Sequence, residues 1–147
     1  MRLASVFYQG LFPSEQVQIP KRATQCFKDD ILGFSEPGDI ACDSVTVNGT
    51  EYKTGMLVIL GVSSQVGVTA GWIKKVIVRR RTVYFYVMSR KCIRTDMRYF
   101  ESTNLNARMA VRCYADLKSF KPLIPRGTED YYVFFLAGRL IEDSEEV

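Results

Sequence analysis

The sequence predicts a mainly β fold, either a small antiparallel barrel or a sandwich, with one or two short helices. Short apolar stretches recur about every 8 to 20 residues, with glycine-rich turns between them. Residues 45–52 alternate in polarity around Asn48–Gly49, which is the strongest two-residue hairpin signal because a type I′ turn needs positive φ at both centres. Few segments have the period of a helix.

The length and composition indicate one globular domain. A chain of 147 residues with 47% apolar residues is typical of a single folded unit. Within 1–147 we expect a peripheral N-terminal segment over 1–40, a β core over 41–141 and an acidic tail over 142–147. No stretch approaches the roughly 20 apolar residues of a membrane span, so no membrane partner is expected. The first ten residues make a poor secretory signal, which favours a nuclear or cytoplasmic location with reduced thiols.

The first 40 residues give weak local signals. Residues 6–8 and 17–19 are interpreted as short strands, separated and followed by prolines. Residues 24–32 are interpreted as two helical turns capped by Thr24. A turn is expected at 36–39.

From residue 40 onward the signals strengthen. The continuous apolar run 55–62 predicts a buried strand, followed by a polar loop at 63–65. Residues 73–78 and 82–88 predict a hairpin with Arg79, Arg80 and Arg81 at or near its tip. Both faces of the second strand carry apolar or aromatic residues, so we expect this strand to be central.

The last third of the chain predicts one helix and two more strands. Residues 102–109 are expected to form a short helix capped by Ser102 or Thr103, and 109–115 a strand. Pro122 and Pro125 indicate a loop, and 131–137 is the last strong strand signal.

The residue types argue against catalysis and metal binding. The chain has no histidine, which removes the commonest general base and metal ligand. Its four cysteines, Cys26, Cys42, Cys92 and Cys113, form no C-x-x-C pair. Phosphate-loop, dinucleotide and nucleophile-elbow motifs are absent. We therefore expect a non-enzymatic protein with no cofactor and no metal.

Positive charge is concentrated in the middle of the chain. Residues 51–100 carry ten Lys or Arg and two acids, a net +8, while the remainder sums to −4. Such polarity suits an anionic partner, either nucleic acid or an acidic protein segment. The alternative is that these charges only keep one face soluble. The candidate anion-binding residues are Lys74, Lys75, Arg79, Arg80, Arg81, Arg90, Lys91, Arg94 and Arg98.

Aromatic residues near these charges suggest further contacts. Stacking on unpaired bases or a cage for a methylated side chain would use Trp72, Tyr84, Tyr86 and Tyr99. Their alternative role is core packing. A separate hypothesis is protein association or a homo-oligomer through the apolar strands, for which Phe134 is the test position.

One series of motifs extends over about residues 45 to 141. It consists of Val47-Asn48-Gly49, Tyr52, Gly55 and Val58, then Gly71-Trp72-Ile73-Lys74, Ile77-Val78, Val83-Tyr84-Phe85-Tyr86-Val87 and Ala115-Asp116-Leu117-Lys118-Ser119-Phe120-Lys121-Pro122-Leu123. The series resembles an uncharacterised module of animal proteins, many of them zinc-finger or transposon-derived. The resemblance implies a nuclear, chromatin or mobile-element setting.

A second resemblance concerns the start of the β core. Tyr52-x-x-Gly55 followed by an apolar strand and a hairpin resembles the small SH3-like barrel of bromo-adjacent homology and Tudor-like chromatin modules. The acid that usually follows this glycine is absent, since Met56 stands there. The resemblance implies an SH3/BAH-like barrel and a chromatin-associated partner.

Overall fold

A computed structural model describes residues 16–20, 24–25, 33–64, 67–96 and 98–136, and residues 24–25 by their backbone alone. The expected strand at 6–8, residues 26–32 of the expected helix and the acidic tail lie outside these ranges. The elements are β1 (Val17–Gln18), β2 (Thr24–Gln25), β3 (Ile40–Cys42), β4 (Ser44–Val47), β5 (Thr50–Lys53), β6 (Leu57–Ser64), β7 (Gly67–Arg79), β8 (Thr82–Asp96), β9 (Tyr99–Ser102), β10 (Arg108–Cys113), a 3₁₀ turn (Tyr114–Asp116), β11 (Ser119–Leu123), β12 (Arg126–Thr128) and β13 (Tyr131–Phe135).

The strands form two antiparallel sheets. The larger sheet has the order β11-β6-β7-β8-β9-β13-β12, with β10 on β8, and β3 between β7 and β2. A smaller sheet has the order β1-β4-β5. The larger sheet curls into a half-barrel, so the prediction of a mainly β, small barrel or sandwich fold is confirmed. No helix within the described residues is long and apolar enough to cross a membrane.

The hairpin β7–β8 organises the larger sheet and is buried on both faces. Near its tip, Val83, Phe85 and Val87 face a first core that β4, β5 and the 3₁₀ turn cover. Toward its other end, Ala70 and Cys92 face a second core shared with β6, β9 and β13. Since successive strand residues point to opposite faces, the two cores lie on opposite sides of the hairpin.

A β-bulge allows β7 to serve both cores. Ile73 pairs with Val87, but the next pair is Lys75 with Tyr86, so Lys74 is an extra residue on β7. The bulge resets the alternation, and Val76 joins Ile73 in the first core. The lysines at and beside the bulge are thereby turned away from that core.

Two predicted helices, one over 102–109 and one beginning at Thr24, are wrong. No helix forms over 102–109, because β9 ends at Ser102 and β10 begins at Arg108. The Thr103 hydroxyl donates to the carbonyl oxygen of Lys91 at 2.7 Å and accepts from the Leu105 amide at 3.1 Å, and these local bonds compete with a helical turn. A helix starting at Thr24 is also wrong, since Thr24 and Gln25 pair with β3.

Pro122 was expected in a loop but lies in β11. This strand is at the edge of the sheet and pairs with β6 at Ser119 and Leu123, with an irregular register between them. A proline is tolerated there because no neighbouring strand needs its missing amide hydrogen.

Candidate anion-binding surface

Four of the nine predicted cations already have carboxylate partners. Arg79 and Arg90 are largely buried, whereas the two lysines form ion pairs at the surface, with 38% and 40% of their side chains exposed. The pairs are Lys74 Nζ with Glu129 Oε1 at 2.6 Å, Lys75 Nζ with Asp43 Oδ1 at 2.8 Å, Arg79 Nε with Asp39 Oδ1 at 2.8 Å and Arg90 Nη2 with Asp130 Oδ1 at 3.6 Å.

Arg79 holds the segment before β3 against the hairpin tip. Its Nε and Nη2 donate to the two oxygens of Asp39 at 2.8 and 2.9 Å, and Nη2 also donates to the Phe34 carbonyl at 2.7 Å. The guanidinium lies 4.2 Å from the centre of the Phe34 ring. Asp39 is 1% exposed, and its hydrogen bonds from Arg79 lower the pKa of its carboxyl despite this burial.

Arg90 is likewise a structural residue. It is 6% exposed, and Nη1 donates to Asn104 Oδ1 at 2.9 Å while Nε donates to the Glu129 carbonyl at 3.2 Å. These bonds tie the loop after β9 and the β12–β13 turn to β8. Because Lys74 binds the Glu129 carboxylate, one acidic turn engages two of the predicted cations.

The tip pair, Arg80 and Arg81, differs from these cations. Both side chains are exposed, and among the described residues no carboxylate lies within 4.0 Å of either. Their φ angles are +50° and +71°, as a type I′ turn requires. Positive φ costs an ordinary residue about 1 to 2 kcal/mol.

The same chain makes this turn elsewhere with residues that fit it. Asn48 and Gly49 join β4 to β5 with φ of +51° and +85°, which confirms the predicted hairpin. The tip of β7–β8 thus carries two arginines where Asn-Gly would avoid backbone strain. Strain of this kind is found preferentially at functional positions.

The remaining predicted cations lie at the far end of the hairpin. Lys91 Nζ donates to Ser63 Oγ at 3.1 Å, the Arg94 guanidinium lies 5.7 Å from the Phe100 ring centre, and Arg98 is exposed. Ten positions separate Lys91 from Arg81, about 30 Å along a strand. The nine residues therefore do not form one continuous patch.

Three of the four predicted aromatic contacts share a face. Trp72 pairs with Met88, which lies two positions from Tyr86 and four from Tyr84 on β8. Because alternate residues of a strand share a face, all three aromatic side chains point to one side of the hairpin. We call these three residues the aromatic row. All three are partly buried. Trp72 packs on Tyr132 with ring centres 5.4 Å apart.

The fourth aromatic, Tyr99, lies on a different surface. It is 41% exposed and packs edge-on against Phe135 at 5.3 Å. Phe134, the test position for association, is 1% exposed in the second core and cannot form an interface. The neighbouring outer aromatic face consists of Ile93, Tyr99, Tyr131 and Phe135, which are 44%, 41%, 54% and 46% exposed.

A polar pocket on the side of the hairpin opposite the aromatic row contains arginines that were not predicted. This arginine pocket has a volume of about 440 Å³. Arg108 and Arg112 were not predicted as site residues because they lie after the basic run. The expected helix over 102–109 and strand over 109–115 put them in different elements, whereas β10 places both on one face. The pocket is lined by Leu60, Gly61, Thr69, Ser89, Asn106, Ala107, Arg108 and Arg112.

The described residues contain no cluster of metal ligands, and two of their cysteines are buried. Among them, no three Cys, Asp or Glu side chains are grouped to hold a metal ion. Cys42 and Cys92 are buried, and burial raises the pKa of both thiols, that of Cys92 to about 11. Both thiols are therefore protonated at neutral pH, which makes them poor nucleophiles.

No family model, curated protein or solved structure matches the chain. Candidate functions therefore follow from the charge and geometry of the described surfaces. The described part of the molecule presents three such surfaces: the tip pair beside the aromatic row, the outer aromatic face and the arginine pocket.

Arg79 and Arg80 are neighbours with opposite expected roles in stability. We expect Arg79→Gln to lower the free energy of unfolding by about 3 kcal/mol, because it leaves the buried Asp39 carboxylate without its main partner. Arg80→Gln should change it by less than about 0.5 kcal/mol. Urea denaturation at pH 7 measures both. Equal values would show that the Arg79–Asp39 pair does not stabilise the fold.

The same pair predicts a pH dependence of stability. Since the pKa of Asp39 is lower in the folded state than the usual value of about 3.9, its contribution is complete above that value. It is lost as the pH falls from there through the folded pKa. Denaturation from pH 7 to pH 2 should show a steeper loss for the wild type than for Asp39→Asn. Parallel pH curves would contradict this assignment.

Proposed function

We propose that the protein is a non-enzymatic binding module for single-stranded nucleic acid, acting in a nuclear or cytoplasmic setting. The single observation that carries the proposal is the tip pair: two exposed arginines in a strained turn, with no carboxylate of the described residues within 4.0 Å of either. An anionic protein segment of a chromatin complex is the alternative ligand of the same surface.

Electrostatics supports a phosphate-bearing polymer. The planar guanidinium group of an arginine matches phosphate in a bidentate contact, and Arg80 and Arg81 present two such groups side by side. At the tip they extend beyond the last strand pair, Arg79 with Thr82, and both side chains are exposed. Release of counterions from the polymer would provide much of the binding free energy.

The aromatic row supports single strands over duplexes. Tyr86 lies on the face that leads from the tip, partly exposed and opposite Lys75. Unpaired bases stack on such rings with about 1 to 3 kcal/mol per base. Lys75 and its partner Asp43 are 40% and 76% exposed, so this surface ion pair is weak and a phosphate can replace the carboxylate.

The turn allows a test that separates binding from folding. The double substitution Arg80→Asn, Arg81→Gly removes both charges and supplies residues that suit a type I′ turn. We expect it to weaken binding of a labelled oligonucleotide at least tenfold while raising stability by about 1 kcal/mol. Fluorescence anisotropy at several salt concentrations and thermal melting measure the two effects.

The matched control is Arg80→Lys, Arg81→Lys, which keeps the charge and should keep most of the affinity. Tyr86→Leu should weaken binding to single strands more than to duplexes. Undetectable binding of the wild type at low ionic strength, or an affinity that ignores salt, would refute the proposal.

Self-association is the second candidate, because of the outer aromatic face. Its four residues lie on the side of β8, β9 and β13 opposite the second core. The Tyr131 hydroxyl donates to Glu101 Oε2 at 2.7 Å on the same side. Exposed aromatic clusters of this kind are typical of association surfaces.

For this candidate the sensitive position is Phe135. If two copies associate through the outer aromatic face, Phe135→Ser should convert a dimer to a monomer in sedimentation velocity without lowering the melting temperature. The exposed Phe120, 50% accessible on β11, provides a matched control. A wild-type monomer at high protein concentration would exclude self-association.

A further inference from the structure

We propose that the arginine pocket is a second anion site, which binds a sugar phosphate. This site does not depend on the tip pair, since its two arginines lie on β10 and it opens on the face of the hairpin opposite the aromatic row. Its cationic side chains lie outside the charge run that dominates the sequence.

The strand β10 brings the two arginines to one pocket. Arg108 pairs with Ser89 and Arg112 with Phe85, so both point to the same side of the sheet as Ala110 between them. Their α-carbons are about 13 Å apart along the strand. Long guanidinium side chains from these positions can converge on one ligand placed between them.

The pocket has the charge of an anion site. None of its lining residues is acidic, and among the described residues no carboxylate lies within 4.0 Å of Arg108 or Arg112. Two positive charges that face one cavity repel each other. An anion bound between them offsets this unfavourable electrostatic energy.

Neutral hydrogen-bonding groups complete the lining. Ser89 is 3% exposed at the floor, and Thr69 and Asn106 add a hydroxyl and an amide. Arg112 Nη1 donates to the carbonyl oxygen of Val111 at 3.2 Å, which leaves its other N–H groups for a ligand. Donors next to two guanidinium groups match a phosphate with adjacent sugar hydroxyls.

The size and lining define the ligand class more closely. A volume of about 440 Å³ lies in the range of small-molecule sites. The lining contains no aromatic ring, so no base would stack there. The phosphate and sugar carry the recognition, whether in a free sugar phosphate or in the backbone of a nucleic-acid strand.

Titration with ribose 5-phosphate, inorganic phosphate and ribose, followed by amide chemical shifts and calorimetry, tests the site. We expect ribose 5-phosphate to bind more tightly than either fragment and to shift the amides of Gly61, Thr69 and Ser89. Arg108→Gln and Arg112→Gln should each weaken binding about tenfold, as loss of a charged hydrogen bond predicts. Arg126→Gln, an exposed arginine outside the pocket, is the matched control and should bind as the wild type does.

Competition distinguishes the two sources of the sugar phosphate. Displacement of ribose 5-phosphate by a short oligonucleotide from the wild type, but not from Arg112→Gln, would assign the site to a strand backbone. No displacement would assign it to a free sugar phosphate. The variant with Arg80→Asn and Arg81→Gly should bind ribose 5-phosphate with unchanged affinity, so failure of the tip proposal would leave this one standing. Absence of shifts in the pocket at millimolar ribose 5-phosphate would overturn it, and this readout needs no variant.

Discussion

The double burial of the β7–β8 hairpin is the constraint on which the rest of the structure depends. Near the tip one face is covered, and toward the other end the opposite face is covered. The change of side falls where Gly71 pairs with Ser89, and a Cβ at Gly71 would lie 3.0 Å from Leu60 Cδ1 and from Val87 Cβ. The glycine and the bulge at Lys74 together let one long hairpin support two cores.

This arrangement also decides which cations are available. A charge that is removed from water needs a partner, and two largely buried predicted arginines, Arg79 and Arg90, each bind a carboxylate and a carbonyl. The tip pair escapes this requirement because the turn extends beyond both cores. Arg108 and Arg112 escape it because β10, which pairs with β8 and no other strand of the described residues, places them at an open pocket. The two proposed sites therefore face different sides of the hairpin.

Much of the strand pattern could be predicted where the signal is local. Asn48–Gly49 and the alternation over 82–88 gave the correct turn and the correct central strand. The helix over 102–109 was wrong because its capping residue, Thr103, instead bonds to Lys91 on the neighbouring strand β8. The sequence did not predict that β8 continues beyond Met88. Arg90 and Lys91 are charged residues, and they indicate a strand only once their partners are known. The sequence predicted arginines at the tip of the β7–β8 hairpin, and it did not predict the arginine pocket.

The sequence by itself determined the fold class, the positions of two tight turns and the charge polarity, because hydrophobic alternation, turn chemistry and charge are properties of neighbouring residues. Only the tertiary structure decided which of the predicted cations form ion pairs with carboxylates. Asp39 meets Arg79 across 40 positions, and Glu129 meets Lys74 across 55. Contacts between residues so far apart in the chain depend on the register of the paired strands and on which face of each strand packs against a core. Thus the basic run resolved into structural ion pairs, an exposed tip and a separate pocket only when the chain was folded.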